Sequence, residues 1–419
     1  MLSGYSNSKR KPPAPPLSVV EATTGQLPSL AAIVHSDNLF ATLKNMMAKG
    51  AGPSAGEDRV ELFDMSPREW AGHLRARGEE VLKGTFRPDP TRRANIPKGK
   101  GKTRPLDIPS GRDRVLAVAM NTGIRKYLDA RFVPYSYGFR PDLSHWNMLA
   151  AIKVVAENTQ SFFLAVDDVR QAFPSVHIDP LLKDCAKMIP DPGIVGFITA
   201  VVGGHDGTTK EGIPQGNPIS PALLLVHLHY RHDLPFQGED YLLLRARYAD
   251  NLVYLARSML DGRRALDKSA ALLGEVGLHL KGEGGGLVDL RERPLVVCDS
   301  DADPEEEIVL LGFTICAKNG VLSYSVPGKT WNKLETKFRE THNEEDPITH
   351  AKAILYGWTN ACGPALENNL ENHLKLILER VRKAGFQRLF PVDSLRERLK
   401  GSLARWHALL RDVRTMRRI

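Results

Sequence analysis

The chain is poor in cysteine. Four thiols, Cys185, Cys298, Cys316 and Cys362, are scattered through 419 residues without one C-x-x-C pair. That spacing argues against a zinc ribbon or a disulfide framework and suits a reducing, cytoplasmic compartment. No apolar run approaches the roughly 20 residues that a membrane-spanning helix requires, and the N-terminus lacks the apolar core of a secretory signal. His227, His229 and His232 lie close together, but the i, i+2 relation puts the first two on different faces of a helix, which argues against a metal box. What the chain has in excess is positive charge. Lys and Arg number 57 against 49 Asp and Glu, a net +8. That balance points to a polyanionic partner, nucleic acid first. Apolar residues make up 42%, enough for a real core in two or three compact regions.

The stretch that organises the rest is residues 245–257, RARYADNLVYLAR. Two strand-forming runs flank Asp250-Asn251, a turn-forming pair, so the local reading is a hairpin with a carboxylate at its tip. About eighty residues upstream, residues 162–176 read FFLAVDDVRQAFPSV, an apolar strand running into Asp167-Asp168. A lone Asp in a turn is usually structural. Two strand-borne carboxylates can instead share a pair of divalent ions, activating an attacking oxygen and stabilising a leaving one. Between them lies GIPQGNPISP (212–221), whose glycines and prolines define a shaped loop and whose Ser220-Pro221 opens a helix.

The order D-x-x-x-x-F, then P-Q-G, then Y-A-D-D, here written YADN, resembles the palm of reverse transcriptases, and more narrowly the group II intron type. Residues 85–115 carry nine cations and match that family's R-x-x-x-I-P-K-x-x-G-K-x-R-P-L-x-I-P fingers pattern. The resemblance implies that Arg104, Lys98 and Lys102 bind the triphosphate. It implies that Asp168, which has the five-residue spacing to Phe173 that Asp167 lacks, is a metal ligand with Asp250 and the Val169 carbonyl. Asp167 would face the other way and pair with a cation. Phe173 occupies the steric-gate position, or is a core aromatic, and Gln215 and Gly216 lie against the incoming nucleotide. Asn251 departs from the family box and cannot supply a negative charge. At the expected lysine of the G-L-x-L-x-x-x-K motif stands Gly284, with Lys281 as a substitute proton donor. In SYGFRPDLS (136–144), Tyr137 and Phe139 either stack on nucleotides or are core, and Arg140 pairs with a phosphate. Arg112-Asp113-Arg114 is structural or contacts template. Leu310–Ile315 reads as the L-G-F strand that supports the primer end, and Gly357-Trp358-Thr359-Asn360 as a thumb element.

The implied fold is α+β, a right-hand polymerase with fingers, a palm built on a ferredoxin-like antiparallel sheet, and a helical thumb. The expected divisions are a disordered basic leader (1–34), fingers with N-terminal helices (35–160), palm (161–325, with interleaved helices at 178–235) and a thumb or maturase-like RNA-binding region (326–419). A Cys/His-rich nuclease segment is not expected. The implied function is an RNA-directed DNA polymerase that uses Mg2+, with Mn2+ as the alternative metal. It would act on an RNA template, a DNA or RNA primer and dNTPs, together with an intron or structured noncoding RNA and no membrane. Two other readings stay open: an RNA-binding maturase-like splicing factor without synthesis, and a domesticated antiphage-defence reverse transcriptase with specialised or untemplated synthesis.

Overall fold

The computed structural model describes residues 18–23, 25–50, 55–99, 102–282, 286–292, 308–367, 369–386 and 391–416. The first described segment is not a solvated leader. Val20 N–H donates to the Asn38 side chain and Ala22 N–H to the Gly123 carbonyl, while Ile33 and Val34 are buried. Apolar side chains at 22, 33 and 34 draw the chain onto the fingers, so the expected leader over 1–34 is folded from Ser18 onward.

The fingers begin with helices Ser36–Ala48 and Pro67–Leu82. The second opens on a capping box: Ser66 accepts from Glu69 N–H, and the Glu69 carboxylate accepts from Ser66 N–H. Strands β1 (Arg92–Gly99) and β2 (Lys102–Ile108) pair antiparallel with Ile96 opposite Arg104. The base of this hairpin is held by buried charges. Arg77 bridges Asp89 and Asp113, Arg112 pairs with Asp89 at 2.7 Å, and Asp113 accepts the Asp89 N–H at 2.6 Å. Arg112 and Asp113 are therefore structural.

The palm sheet contains β3 (Phe163–Asp168), β4 (Leu242–Tyr248), β5 (Asn251–Ala256) and β6 (Gly286–Asp289), in spatial order β4-β5-β3-β6 with antiparallel neighbours. Helices separate β3 from β4, and the helix Met259–Gly274 separates β5 from β6. This is the ferredoxin-like order. The central strands are buried on both faces, which explains their unbroken apolar runs. Ala165, Leu252 and Tyr254 join a core shared with the fingers; Leu164, Val166, Val253 and Leu255 join a second core beneath the helix His145–Thr159 and the C-terminal helices.

Leu311 and Gly312 adopt positive φ and form the turn between β7 (Val309–Leu310) and β8 (Phe313–Lys318), with β9 (Val321–Ser325) beyond. The expected L-G-F strand is thus a hairpin, because glycine at Gly312 favours a turn there. Helices Gly328–Glu340, Pro347–Ala361, Leu370–Lys383 and Val392–Met416 close the chain around Trp331, Phe338, Leu355 and Trp406. Trp358 packs its ring 4.4 Å from that of Trp331, and the Asn360 carbonyl accepts from Ser402, so the G-W-x-N element is a packing joint. Among the described residues, no helix is long and apolar enough to cross a membrane.

The fingers network has a pH signature. Burial pushes the Asp113 carboxyl up to about 6 from an ordinary 3.8, against the pull of Arg77. The folded chain then holds more protons than the unfolded one between those values. Stability should fall as pH rises through that window, by at most about 3 kcal/mol. Urea unfolding from pH 4 to 7 should show a slope that Asp113→Asn removes; identical slopes in the two proteins would contradict it.

Candidate active site

The two acidic stretches meet at one end of the central strand pair. Asp168 ends β3 directly opposite Asn251 at the start of β5, and the Val169 N–H donates to the Asp250 carbonyl at 3.0 Å. Ala249 takes φ +56 to make the turn, so the carboxylate of Asp250 stands on a tight, fixed corner. Burial, then the nearby charge of Asp168, push the Asp250 carboxyl above its ordinary range, and Arg104 and Lys281 pull it back. Three charged groups from three parts of the chain, Arg104, Asp168 and Lys281, therefore act on Asp250. Two carboxylates held together, with cations at the rim, offer the kind of oxygen donors that a hard divalent ion would take.

Lys281 lies beside this point. Its ammonium is 3.4 Å from Asp168 Oδ2, and its N–H donates to the Asp168 carbonyl at 2.8 Å. A short bridge between Val169 and Leu280 fixes this register. Gly284 is outside the described residues. Asp167 points away, as the alternation of strand side chains requires. Its carboxylate is satisfied by the N–H groups of Gly282 and Asp168 rather than by the expected cation. Asn251 turns its amide toward the Asp250 carboxylate, Nδ2 to Oδ1 3.3 Å, and toward the Tyr248 carbonyl.

The P-Q-G loop joins palm to fingers. Ile213 N–H donates to the Phe173 carbonyl and Gly212 N–H to that of Val176, while the Gln215 carbonyl accepts from Asp107 N–H at 2.6 Å. Gly216 has φ +107, and a Cβ there would lie 2.9 Å from the Asp107 carbonyl oxygen. Glycine is thus required for close approach to β2. Phe173 is half-buried, and the Gln215 backbone is joined to β2, the strand bearing the exposed Arg104. Lys98 and Lys102 lie on β1 and β2, with side chains outside the described residues.

The anchor of the acidic turn escaped the sequence reading. Arg247, 1% exposed, binds the Asp233 carboxylate through Nε at 2.9 Å, donates through Nη1 to the Ala249 carbonyl at 2.8 Å and through Nη2 to Ser136 Oγ at 2.9 Å. Burial alone would raise the Asp233 carboxyl; Arg247 and a hydrogen bond from His232 outweigh it and hold it well below the carboxylate range. His232 continues inward to Tyr254 at 2.9 Å, and Tyr254 to Ser269 at 2.6 Å. Two cations at alternate positions of an otherwise apolar strand, Arg245 and Arg247, were the available signal. His227 is bonded to Asp184, which also takes Arg231, so these histidines serve packing; among the described residues no group of three metal-ligating side chains forms. Arg140 is bonded to Asp129 and to the carbonyls of Val133 and Ser136, which leaves it committed to loop structure rather than to phosphate.

A ferredoxin-like sheet that presents two carboxylates beside a basic hairpin resembles the palm of a template-directed polymerase. Residues 96–285 match the family model described as "Reverse transcriptase (RNA-dependent DNA polymerase)". That region of the chain is similar to reverse transcriptases, and the relatives it matches include group II intron-encoded proteins. Similar proteins include YkfC of Escherichia coli, 32% identical over 46% of this chain and 54% of its own length. A putative COX1/OXI3 intron 1 protein of Saccharomyces cerevisiae is 27% identical over 46% of this chain and 23% of its own. The group II intron-encoded protein LtrA of Lactococcus lactis is 29% identical over 36% and 26%. The matched region thus spans about half of YkfC and about a quarter of the two intron proteins. Telomerase from Candida albicans is similar in structure at TM-score 0.46 and 12% identity, over 79% of this chain and 60% of that one.

Replacing Asp233 by Ala leaves a buried guanidinium without its counter-charge. The expected loss is about 3–5 kcal/mol in urea unfolding. Asp233→Leu combined with Arg247→Met should recover most of it. A loss under about 1 kcal/mol for the single variant, the level of an exposed ion pair, would show that the pair is not buried in solution.

Proposed function

We propose that the protein is an RNA-directed DNA polymerase that extends a primer 3′-hydroxyl with deoxynucleotides by two-metal catalysis. The convergence of Asp168 and Asp250, flanked by Arg104 and Lys281, carries the reading. The two carboxylates and the Val169 carbonyl are hard oxygen donors suited to Mg2+ or Mn2+. Such ions, when bound, lower the pKa of the attacking hydroxyl and neutralise charge on the leaving phosphates. Arg104, exposed on β2 and within electrostatic reach of Asp250, holds the triphosphate, and Lys98 and Lys102 on the same hairpin add charge there. Gln215 and Gly216 form the wall between fingers and palm against which the nucleotide base sits. Phe173 meets the sugar face, where a ring would collide with a ribose 2′-hydroxyl. Lys281 delivers a proton to the departing pyrophosphate, in the place of a lysine at 284. A row of exposed lysines, Lys329, Lys333 and Lys337, lies at i, i+4 and i+8 on one face of a C-terminal helix, suited to a duplex backbone.

Asn251 favours a second reading. It donates an amide where the family places a carboxylate, so the site has one negative charge fewer. That loss weakens attraction for a divalent ion and suits an RNA-binding maturase-like protein, or a domesticated enzyme with specialised synthesis such as antiphage defence.

The test is extension of oligo(dT) on poly(rA) with Mg2+ or Mn2+. Wild-type protein should incorporate dTTP. Asp168→Ala and Asp250→Ala should reduce incorporation to background without loss of RNA binding. Lys281→Gln should lower kcat by roughly a hundredfold, the smaller end of a general-acid contribution. Tight RNA binding by a wild-type protein that incorporates nothing would overturn the polymerase reading in favour of the maturase one. Activity appearing only in Asn251→Asp would mark a decayed polymerase.

A further inference from the structure

Phe139 is the side chain the catalytic reading leaves unused. Its backbone has φ +59, in the left-handed region that a bulky aromatic rarely adopts. Its ring is 49% exposed, so core burial does not account for it. Strain of this kind persists only where the surroundings over-determine the conformation, and it concentrates at functional sites. Here the surroundings do so from both sides. Tyr137 N–H donates to the Arg247 carbonyl at 2.7 Å, and Arg140 is bonded to Asp129 at 2.5 Å and to the Val133 and Ser136 carbonyls. Gly138 presses on the acidic turn itself: a Cβ there would lie 2.2 Å from Ala249 N and 2.9 Å from the Tyr248 carbonyl carbon. The segment is therefore pinned to the turn that carries Asp250, and Phe139 projects from it toward one neighbour. Its ring meets Phe173 edge-to-face, centroids 6.3 Å apart at 76°.

We propose that Phe139 is a specificity-determining positioning residue: pinned to the Asp250 turn and braced edge-to-face against Phe173, it holds that ring at the sugar face of the nucleotide site and so sets discrimination between deoxy- and ribonucleotides. Phe173 is half-buried, packing in part against the core beneath the fingers, at the end of a turn that passes through Gln171 with φ +47. A ring free to swing aside would admit a 2′-hydroxyl. Phe139 meets the ring edge-to-face, while the P-Q-G loop holds the Phe173 carbonyl. The inference rests on the reading of Phe173 as the sugar-face residue.

The experiment measures the ratio of kcat/KM for dTTP over UTP on poly(rA)–oligo(dT) in wild type, Phe139→Ala, Phe139→Tyr and Phe173→Ala. Phe139→Ala should lower the ratio by up to about tenfold, what one edge-to-face ring contact is worth, chiefly through easier use of UTP. Phe139→Tyr keeps the ring and should keep the ratio. Thermal stabilisation of the protein–template–primer complex by dTTP against UTP gives the same comparison without turnover. If Phe173→Ala relaxes the ratio and Phe139→Ala does not, the bracing role is wrong while the sugar-face reading stands. If Phe173→Ala leaves the ratio unchanged, both fail. A Phe139→Ala protein that loses dTTP and UTP use in equal proportion also contradicts the proposal, since a purely structural residue would do the same.

Discussion

A guanidinium without water, balanced by one carboxylate, fixes the corner on which the acidic turn stands. Arg247 reaches Asp233, the Ala249 carbonyl and Ser136 at once, so a helix end, the strand turn and the loop before the helix His145–Thr159 share one side chain. Burying both charges costs desolvation that their attraction only partly repays, and such pairs are weak contributors to net stability. Their value lies in geometry. Ala249 is held at φ +56 and Asp250 is presented beside Asp168, a position that an apolar contact of similar volume would not specify.

The palm sheet makes that corner rigid. β3 and β5 are buried on both faces, and a slip of one residue in their register would move every apolar side chain to the wrong core. The same register sets Asp168 opposite Asn251 and turns Asp167 to the backbone of Gly282. The fingers hairpin is attached to this frame by the P-Q-G loop, through the Gln215–Asp107 bond and the close approach at Gly216. Arg104 is thereby brought into reach of Asp250 by contacts on backbone atoms, which side-chain substitutions disturb least.

Much of this was legible in the sequence because it depends on local spacing. The expectation of Asp168 rather than Asp167 followed from the family resemblance and its five-residue interval, and the hairpin around Asp250-Asn251 from a turn pair between two strand-forming runs. What remained hidden depends on partners far apart in the chain. Nothing near Arg140 announces that Asp129 and two carbonyls will take it, and nothing near Asp89 announces Arg77 and Arg112. Leu311-Gly312 read as the middle of a strand, although the glycine there was the signal for a turn. The segment from Ser18 to Val34 looked solvated because its few apolar residues are spread thinly, yet Ala22, Ile33 and Val34 each find a place on the fingers.

The central claim is that Asp168 and Asp250 jointly hold divalent ions while Arg104 and Lys281 face the triphosphate. Crystals of the protein with template–primer, a non-hydrolysable dNTP and Mn2+, examined by anomalous diffraction at the manganese edge, test it most directly. The account predicts metal peaks between the Asp168 and Asp250 carboxylates, with the Val169 carbonyl in the ligand sphere and the ammonium of Lys281 moved off Asp168. A bound nucleotide with no metal between those two carboxylates, or manganese held elsewhere, would contradict it.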